Sequence, residues 1–288
     1  MYSDAGGAAR PGVIDGETIR PFGPEVASLD AYVAMTPAER QAAVAKLGAP
    51  ISAAGVTLLA PLYPKKNVFC VGRNYLAHAE EGAKALGTEL KLPSVPTFFT
   101  KAPTTIAGPD EVLPLSSDVS PQYDWEAELA VVIGTKCRDV SEADALDVVF
   151  GYSALNDVTA RDLQRSHVQW FKGKSLDHTC PIGPWLIDAA DIGDPQTLEI
   201  ELRVNGEVKQ HSNTAKMIFS VRQIIASLSA GLTLEPGDII ASGTPEGVGF
   251  ARTPPEFLKD GDVMEVEIEK IGVLRNPVKI GSLAALAH

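Results

Sequence analysis

Glu126 and Glu128 sit two residues apart in the run Asp124-Trp125-Glu126-Ala127-Glu128-Leu129-Ala130-Val131-Val132-Ile133-Gly134. Its β-branched, apolar composition and closing glycine are the pattern of a buried strand. On a strand, side chains i and i+2 share a face, with Cα atoms roughly 6.5 to 7 Å apart. Two carboxylates placed this way repel one another and lose hydration unless a cation sits between them. An oxygen-seeking Mg²⁺ or Mn²⁺ would fill that role. Glu-x-Glu alone also describes two solvated glutamates at an exposed strand end, so the residues that follow must decide.

Asp157 falls where the strand Phe150 to Leu155 hands over to a helical turn, a usual place for a site residue. Arg161 and Gln164 follow four and seven residues later, which at helical spacing places them on the face of Asp157. Lys174, between Gly173 and Ser175, precedes the proline-rich turn Cys180-Pro181-Ile182-Gly183-Pro184. If it points inward, its ammonium stays protonated beside the carboxylates and can bind an oxyanion. Upstream, His78 and Glu81 are an i, i+3 pair, so a helix brings the carboxylate to the imidazole as in a general base. The loop Gly243-Thr244-Pro245-Glu246-Gly247-Val248-Gly249 lacks the Gly-Lys-Ser/Thr ending of a phosphate loop. Its amides and the Thr244 hydroxyl could instead hold a substrate carboxylate.

The elements that must position these groups are legible in outline. Residues 1–61, rich in Gly, Pro and Ala, form a minor domain, with a hairpin at Asp15-Gly16 and a helix from the Thr36 N-cap to about Leu47. Pro61 and Pro64 mark a boundary, and residues 62–288 carry the chemistry. There, Asn67 to Gly72 and Thr97 to Lys101 read as strands flanking a helix from Tyr75 to Leu86, a reasonable mobile lid. A short helix spans Ser141 to Val149. Leu198 to Val204 enters a hairpin at Asn205-Gly206, Ser220 caps a helix to Leu228, and Ile239 to Ser242, Met264 to Ile268 and Val273 to Ile280 are further strands. This is an α+β, β-dominated architecture.

The 288 residues carry a net charge of −12, which argues against nucleic-acid and anionic-membrane partners. No secretory signal or membrane span is visible. Three cysteines without C-x-x-C spacing suggest neither a disulfide framework nor a zinc knuckle, and a reducing cytoplasm fits best.

The combination is more specific than its parts. Glu126-x-Glu128, then Asn156-Asp157-Val158-Thr159-Ala160-Arg161-Asp162-Leu163-Gln164, Gly173-Lys174-Ser175 before Cys180-Pro181, and Ser242-Gly243-Thr244-Pro245 resemble the fumarylacetoacetate hydrolase family. Gly72-Arg73-Asn74-Tyr75 with His78 and Glu81 is similar to the lid dyad of its bacterial acylpyruvate hydrolase, isomerase and decarboxylase branch. The resemblance covers about Pro64 to Ile280. It implies a mixed β-sandwich roll, usually dimeric, and Mg²⁺ or Mn²⁺ held by Glu126, Glu128 and Asp157. It implies His78, Glu81 and Lys174 as catalytic groups, and Arg73, Tyr75, Arg161, Gln164 and Thr244 as substrate contacts. The family's eukaryotic hydrolase has a fourth acidic ligand where this chain has Val71, so a three-carboxylate site is expected. The implied substrate is a small anionic keto acid. The leading expectation is metal-dependent cleavage of an acylpyruvate such as fumarylpyruvate to pyruvate and a carboxylic acid, in aromatic-compound catabolism. Oxaloacetate decarboxylation and isomerisation of a 2-hydroxy-diene-dioate are the alternatives.

Overall fold

A computed structural model describes residues 1–4 and 7–286. The strand anticipated around the two glutamates is Ala127–Ile133, and it lies at the centre of a seven-stranded sheet. Across this sheet the order is Thr97–Lys101, Val68–Gly72, Ile239–Ala241, Ala127–Ile133, Val149–Asn156, Cys180–Asp188 and Ile106–Ala107. A second sheet of five strands runs Glu207–Asn213, Glu199–Val204, Val263–Ile268, Gly272–Gly281 and Leu113–Ser116. The fold is the β-dominated α+β type expected.

Because side chains alternate along a strand, Ala127–Ile133 feeds two cores. Leu129, Val131 and Ile133 pack with Leu202, Val266 and Leu274 of the five-stranded sheet. Ala130 and Val132 pack on the opposite side with Val68, Cys70, Leu155 and Ile239. Glu128 has the parity of Ala130 and Val132, so it faces the second side.

The N-terminal residues fold into small sheets of their own. Gly12–Asp15, Thr18–Pro21 and Ile51–Ser52 make one, and Tyr2–Ser3 pairs with Thr57–Leu58 in another. The Asp15-Gly16 hairpin is present, as is the Asn205-Gly206 hairpin between Val204 and Glu207. Thr36 and Glu39 form a capping box at the start of helix Pro37–Val44, which ends short of Leu47. Val33, Ala60 and Leu62 join the same apolar cluster as Val68 and Cys70, so the N-terminal residues share a core with the large sheet.

Two local expectations are corrected. The helix expected from Ser141 to Val149 is a turn closed by the Ser141 side chain, followed by a 3₁₀ segment at Ala145–Val148, after which Val149 already belongs to the next strand. Asp157 is not on the helix of Arg161 and Gln164. Thr159–Ala160 first pairs with Tyr123–Asp124 as a two-stranded ribbon, and the helix is Arg161–Ser166. The ribbon sets Asp124 beside Arg161, whereas Asp157 pairs with Lys174 and Lys101 and not with the arginine. Among the described residues no helix is long and apolar enough to cross a membrane.

Candidate active site

Two neighbouring strands place the acids. Ala127–Ile133 and Val149–Asn156 are antiparallel with Ala127 opposite Asn156, so Glu126 precedes one strand where Asp157 follows the other. Their backbones are tied by Asp157 N–H to Glu126 O at 2.9 Å, and the Glu126 N–H donates to Asn156 Oδ1 at 2.9 Å. Glu126, Glu128 and Asp157 are buried, and each offers a carboxylate oxygen within 4.8 Å of the others.

Three cations share this interior. Lys174 Nζ donates to Glu126 Oε2 at 2.7 Å and Asp157 Oδ2 at 2.6 Å. Arg161 Nη1 meets Glu126 Oε1 at 2.7 Å, and its Nε donates to Asp124 Oδ2 at 2.8 Å. Lys101, fully buried at the end of its strand, approaches Asp157 Oδ1 at 2.8 Å. That contact is a close approach of charges without hydrogen-bond alignment. Lys101 also donates to the carbonyls of Val158, at 3.2 Å, and Lys174.

Charge is unevenly compensated. Burial raises the Glu126 pKa, but Lys174 and Arg161 outweigh it and bring the carboxyl down to about 2. Burial, with Asp157 and Glu126 nearby, pushes Glu128 well above the ordinary carboxylate range, and a single amide, Gly243 N–H at 2.7 Å, bonds its side chain. Burial opposes the charge of Lys174, yet Asp157 and Glu126 hold its pKa above the usual value. Counting Asp124, four carboxylates thus face three cations. A divalent ion with oxygen preference fits this donor set, as it would relieve the charge on Glu128 that no side chain neutralises. Val71 lines the cleft as an apolar residue, consistent with three carboxylates and no fourth.

Glu126 and Glu128 open into a cleft of about 710 Å³, with Asp157 buried behind them. Its walls include Arg73, His78, Arg161, Gln164, Lys174 and Thr244 from the expected set. Tyr75 and Glu81 are not in the wall. Tyr75 is buried, with its hydroxyl unpaired, at the N-cap of helix Leu76–Leu86. Glu81 stands behind His78, its Oε1 accepting from Nδ1 at 2.9 Å, while its Oε2 accepts the Gly247 N–H at 2.9 Å.

The Gly243–Gly249 loop serves the protein's own acids. Its amides bind Glu128 at Gly243, Glu81 at Gly247 and Asp124 at Gly249, with Phe250 adding a second bond to Asp124. Glycine is required at all three of these points: Gly243 has φ +100°, with Asn74 Cβ 2.6 Å from where its own Cβ would be, at Gly247 that atom would sit 2.1 Å from Lys209 O, and at Gly249 2.2 Å from Glu256 O. Thr244 Oγ1 accepts from Gln210 Nε2 at 2.8 Å, so its hydroxyl hydrogen stays free toward the cleft.

Lys101 and Asp124 escaped the sequence reading. Lys101 ends an ordinary half-apolar strand, and nothing local marks its burial. Asp124 accepts from four groups, the amides of Trp125, Gly249 and Phe250 and the Arg161 guanidinium, but three of those partners come from distant parts of the chain.

The model of the family described as fumarylacetoacetate (FAA) hydrolase C-terminal matches residues 67–279. The chain belongs to this family. It is 49% identical over 224 residues to the oxaloacetate tautomerase YisK of Bacillus subtilis (strain 168), covering 77% of this chain and 73% of that protein. The solved fumarylacetoacetate hydrolase of psychrophilic Exiguobacterium antarcticum superimposes with a TM-score of 0.83 at 41% identity, covering 97% of this chain and 98% of that one. The 2-hydroxyhepta-2,4-diene-1,7-dioate isomerase of Mycobacterium marinum gives 0.73 at 35%, covering 97% and 96%. Within the family, the buried triad of Glu126, Glu128 and Asp157 is consistent with a divalent-metal site.

Proposed function

We propose that this protein is a divalent-metal-dependent tautomerase of a 2-oxo acid of the oxaloacetate class, interconverting keto and enol forms by moving one proton between C3 and the 2-oxygen. The observation that carries this reading is that His78, backed by Glu81, lines the same cleft as Glu126 and Glu128 of the carboxylate triad. The names of the relatives support it, since a tautomerase and a diene-dioate isomerase both shift a proton along an enolisable chain.

When bound by Glu126, Glu128 and Asp157, Mg²⁺ or Mn²⁺ would supply Lewis-acid stabilisation of charge developing on the 2-oxo group. The remaining work falls to the chain. With Nδ1–H donating to Glu81, the His78 imidazole keeps Nε2 as the acceptor that takes the C3 proton and returns it to oxygen. Glu81 fixes the tautomer and steadies the imidazolium. Its second oxygen, held by Gly247, keeps the carboxylate from turning away. Lys174, kept cationic by its neighbours, and the free hydroxyl hydrogen of Thr244 orient the oxyanion and carboxylate of the substrate. Arg161 and Gln164, joined at 3.1 Å, present a fixed polar edge beside them.

Hydrolysis of an acylpyruvate is the second reading, favoured by the likeness to the Exiguobacterium hydrolase. It would use the same His78 Nε2 to deprotonate water. Purified protein with Mg²⁺ separates the two. Tautomerase activity appears as accelerated loss of enol-oxaloacetate ultraviolet absorbance without release of pyruvate or CO₂. Pyruvate formed from fumarylpyruvate, with the enol decaying at its uncatalysed rate, would overturn the tautomerase reading in favour of hydrolysis; CO₂ from oxaloacetate would mark decarboxylation.

A further inference from the structure

Resting on the reading of Thr244 as a contact for the substrate carboxylate, we propose that Gln210, turned into the site by a bulge in its strand, is a positioning residue that fixes the polarity of the Thr244 hydroxyl. Strand Glu207–Asn213 is the outer strand of the five-stranded sheet, and none of its residues lines the cleft. Its pairing with Glu199–Val204 slips by one residue: Leu202 is opposite Gln210 and Arg203 opposite Val208, which leaves Lys209 without a partner. A bulge of this kind interrupts the alternation of faces and re-aims the neighbouring side chains. Lys209 and Gln210 are accordingly both buried, where an edge strand with one solvent face would bury one of the two. Lys209 Nζ turns to Glu256, 3.0 Å away, and lies 6.0 Å from the centre of the Trp125 ring. Gln210 enters a gap behind the acids.

That gap is in the backbone ladder. Strand Ala127–Ile133 pairs with Ile239–Ala241 only as far as Ala130, and Ser242 N–H to Leu129 O at 3.1 Å is the last bond between the two backbones at this end. The Ala127 N–H, between the two glutamates in sequence and two residues further along the same edge, donates instead to Gln210 Oε1 at 2.9 Å. The other end of that amide, Nε2, donates to Pro245 O and to Thr244 Oγ1, each at 2.8 Å. These partners leave the amide one orientation, because an N–H requires its oxygen and a carbonyl requires its nitrogen. Nε2 has no lone pair to offer, so Thr244 Oγ1 can only accept from it. The hydroxyl hydrogen is left for an acceptor in the cleft, whose wall Thr244 helps to form.

A carboxylate is an acceptor only. A threonine hydroxyl without a fixed donor at its back rotates to whichever partner is nearest and must be turned when an anion arrives, whereas a preset donor binds without that cost. Gln210 supplies the fixed donor from the interior, where it is 1% exposed and water does not compete. The same amide ties this donor to the backbone between Glu126 and Glu128, so the carboxylate contact and the acidic triad share one rigid link that originates in the other sheet.

A double-mutant cycle read by binding to the Mg²⁺-loaded enzyme tests this. The probe is 3,3-dimethyl-2-oxobutanoate, a 2-oxo acid with no C3 hydrogen and no second carboxylate, so it is neither tautomerised nor decarboxylated. Thr244→Val should weaken the probe by about tenfold or more, the scale of a hydrogen bond to a charged group. Gln210→Met should weaken it by a similar factor in the presence of Thr244, but by no more than about twofold in the Thr244→Val background. Loss of the Ala127 bond should lower the melting temperature equally in both backgrounds, so only the affinity reports the coupling. A Gln210→Met loss of equal size in both backgrounds, or no loss in either, would overturn the proposal. Unchanged affinity in Thr244→Val would overturn it together with the carboxylate contact on which it rests. If Gln210→Met does not fold, Gln210→Asn, one methylene too short to reach Thr244 while holding Ala127, is judged by the same comparison. Because the probe is not turned over, a failed enol assay would leave this result standing, and the two readings fail separately.

Discussion

The Asp124 carboxylate and the Arg161 guanidinium are paired in the interior, Oδ2 to Nε at 2.8 Å, and the same carboxylate holds the amides of Gly249 and Phe250. Phe250 in turn lies against the guanidinium, 4.5 Å from its ring centre to the arginine carbon, and packs near Gly82 of helix Leu76–Leu86. One acid thus aligns a cleft arginine with the turn against which the helix carrying His78 packs. Asp124→Asn keeps the volume but removes the charge and one acceptor oxygen. We expect kcat to fall about 10- to 100-fold, as for the loss of groups that orient a site from behind, with Mg²⁺ affinity little changed. Steady-state kinetics beside a metal titration would check this; a wild-type kcat would show that the pairing is dispensable.

Chelation with EDTA should abolish activity, and added Mg²⁺ should restore it. Glu128→Gln should lower metal affinity by at least tenfold, since one of three carboxylate donors becomes a neutral amide. Isothermal titration with Mg²⁺ measures it directly. Retained activity in the fully chelated protein would refute the metal requirement.

Protonation gives a further handle. The Glu128 carboxyl has an ordinary value of 4.5 and is pushed well above it in the fold. Its contribution to the stability of the metal-free protein is therefore full below about pH 4.5 and is lost as pH rises through the elevated value. Glu126 runs the other way: drawn down to about 2, it contributes stability above pH 4.5 that is lost as pH falls toward 2. At pH 7 and without metal, Glu128→Gln should therefore melt higher than wild type, by roughly 2 to 4 °C for each kcal/mol relieved. Mg²⁺ should raise the wild-type melting temperature far more than that of the variant. Scanning calorimetry across pH would expose a wrong sign.

His78→Ala should reduce kcat by about 10² to 10⁴, the usual range for a lost general base. Glu81→Gln should cost less and move the pH–rate profile, because an amide can still accept from Gly247 but no longer charges the imidazole. A profile identical to wild type would place Glu81 in a purely structural role.

Much of this arrangement could be read from the chain because local rules govern it. Strand parity puts Glu126 and Glu128 on one face, and helical spacing puts His78 beside Glu81. Where the fold departs, tertiary pairing overrides local pattern. Asp157 and Arg161 are separated by a ribbon whose other half, Tyr123–Asp124, lies more than thirty residues earlier and supplies the arginine's partner Asp124, and no periodicity within 157–164 encodes it. Lys101 is buried because the Val158 and Lys174 carbonyls converge on it, a fact absent from its own strand. The glycine loop after Ser242 was legible as a carboxylate binder, but its clients are side chains of the protein, brought there by two separate segments, the helix of Glu81 and the run from Asp124 to Glu128.

The joint packing of Val33, Ala60 and Leu62 with Val68 and Cys70 bears on how the chain melts. Elements that bury one another's apolar surface cannot open independently without exposing it, so the first sixty residues and the large sheet should unfold as one cooperative unit. A version starting at residue 62 would leave a greasy scar on the outer side of the sheet, and its fate in solution would be association rather than an independent small enzyme.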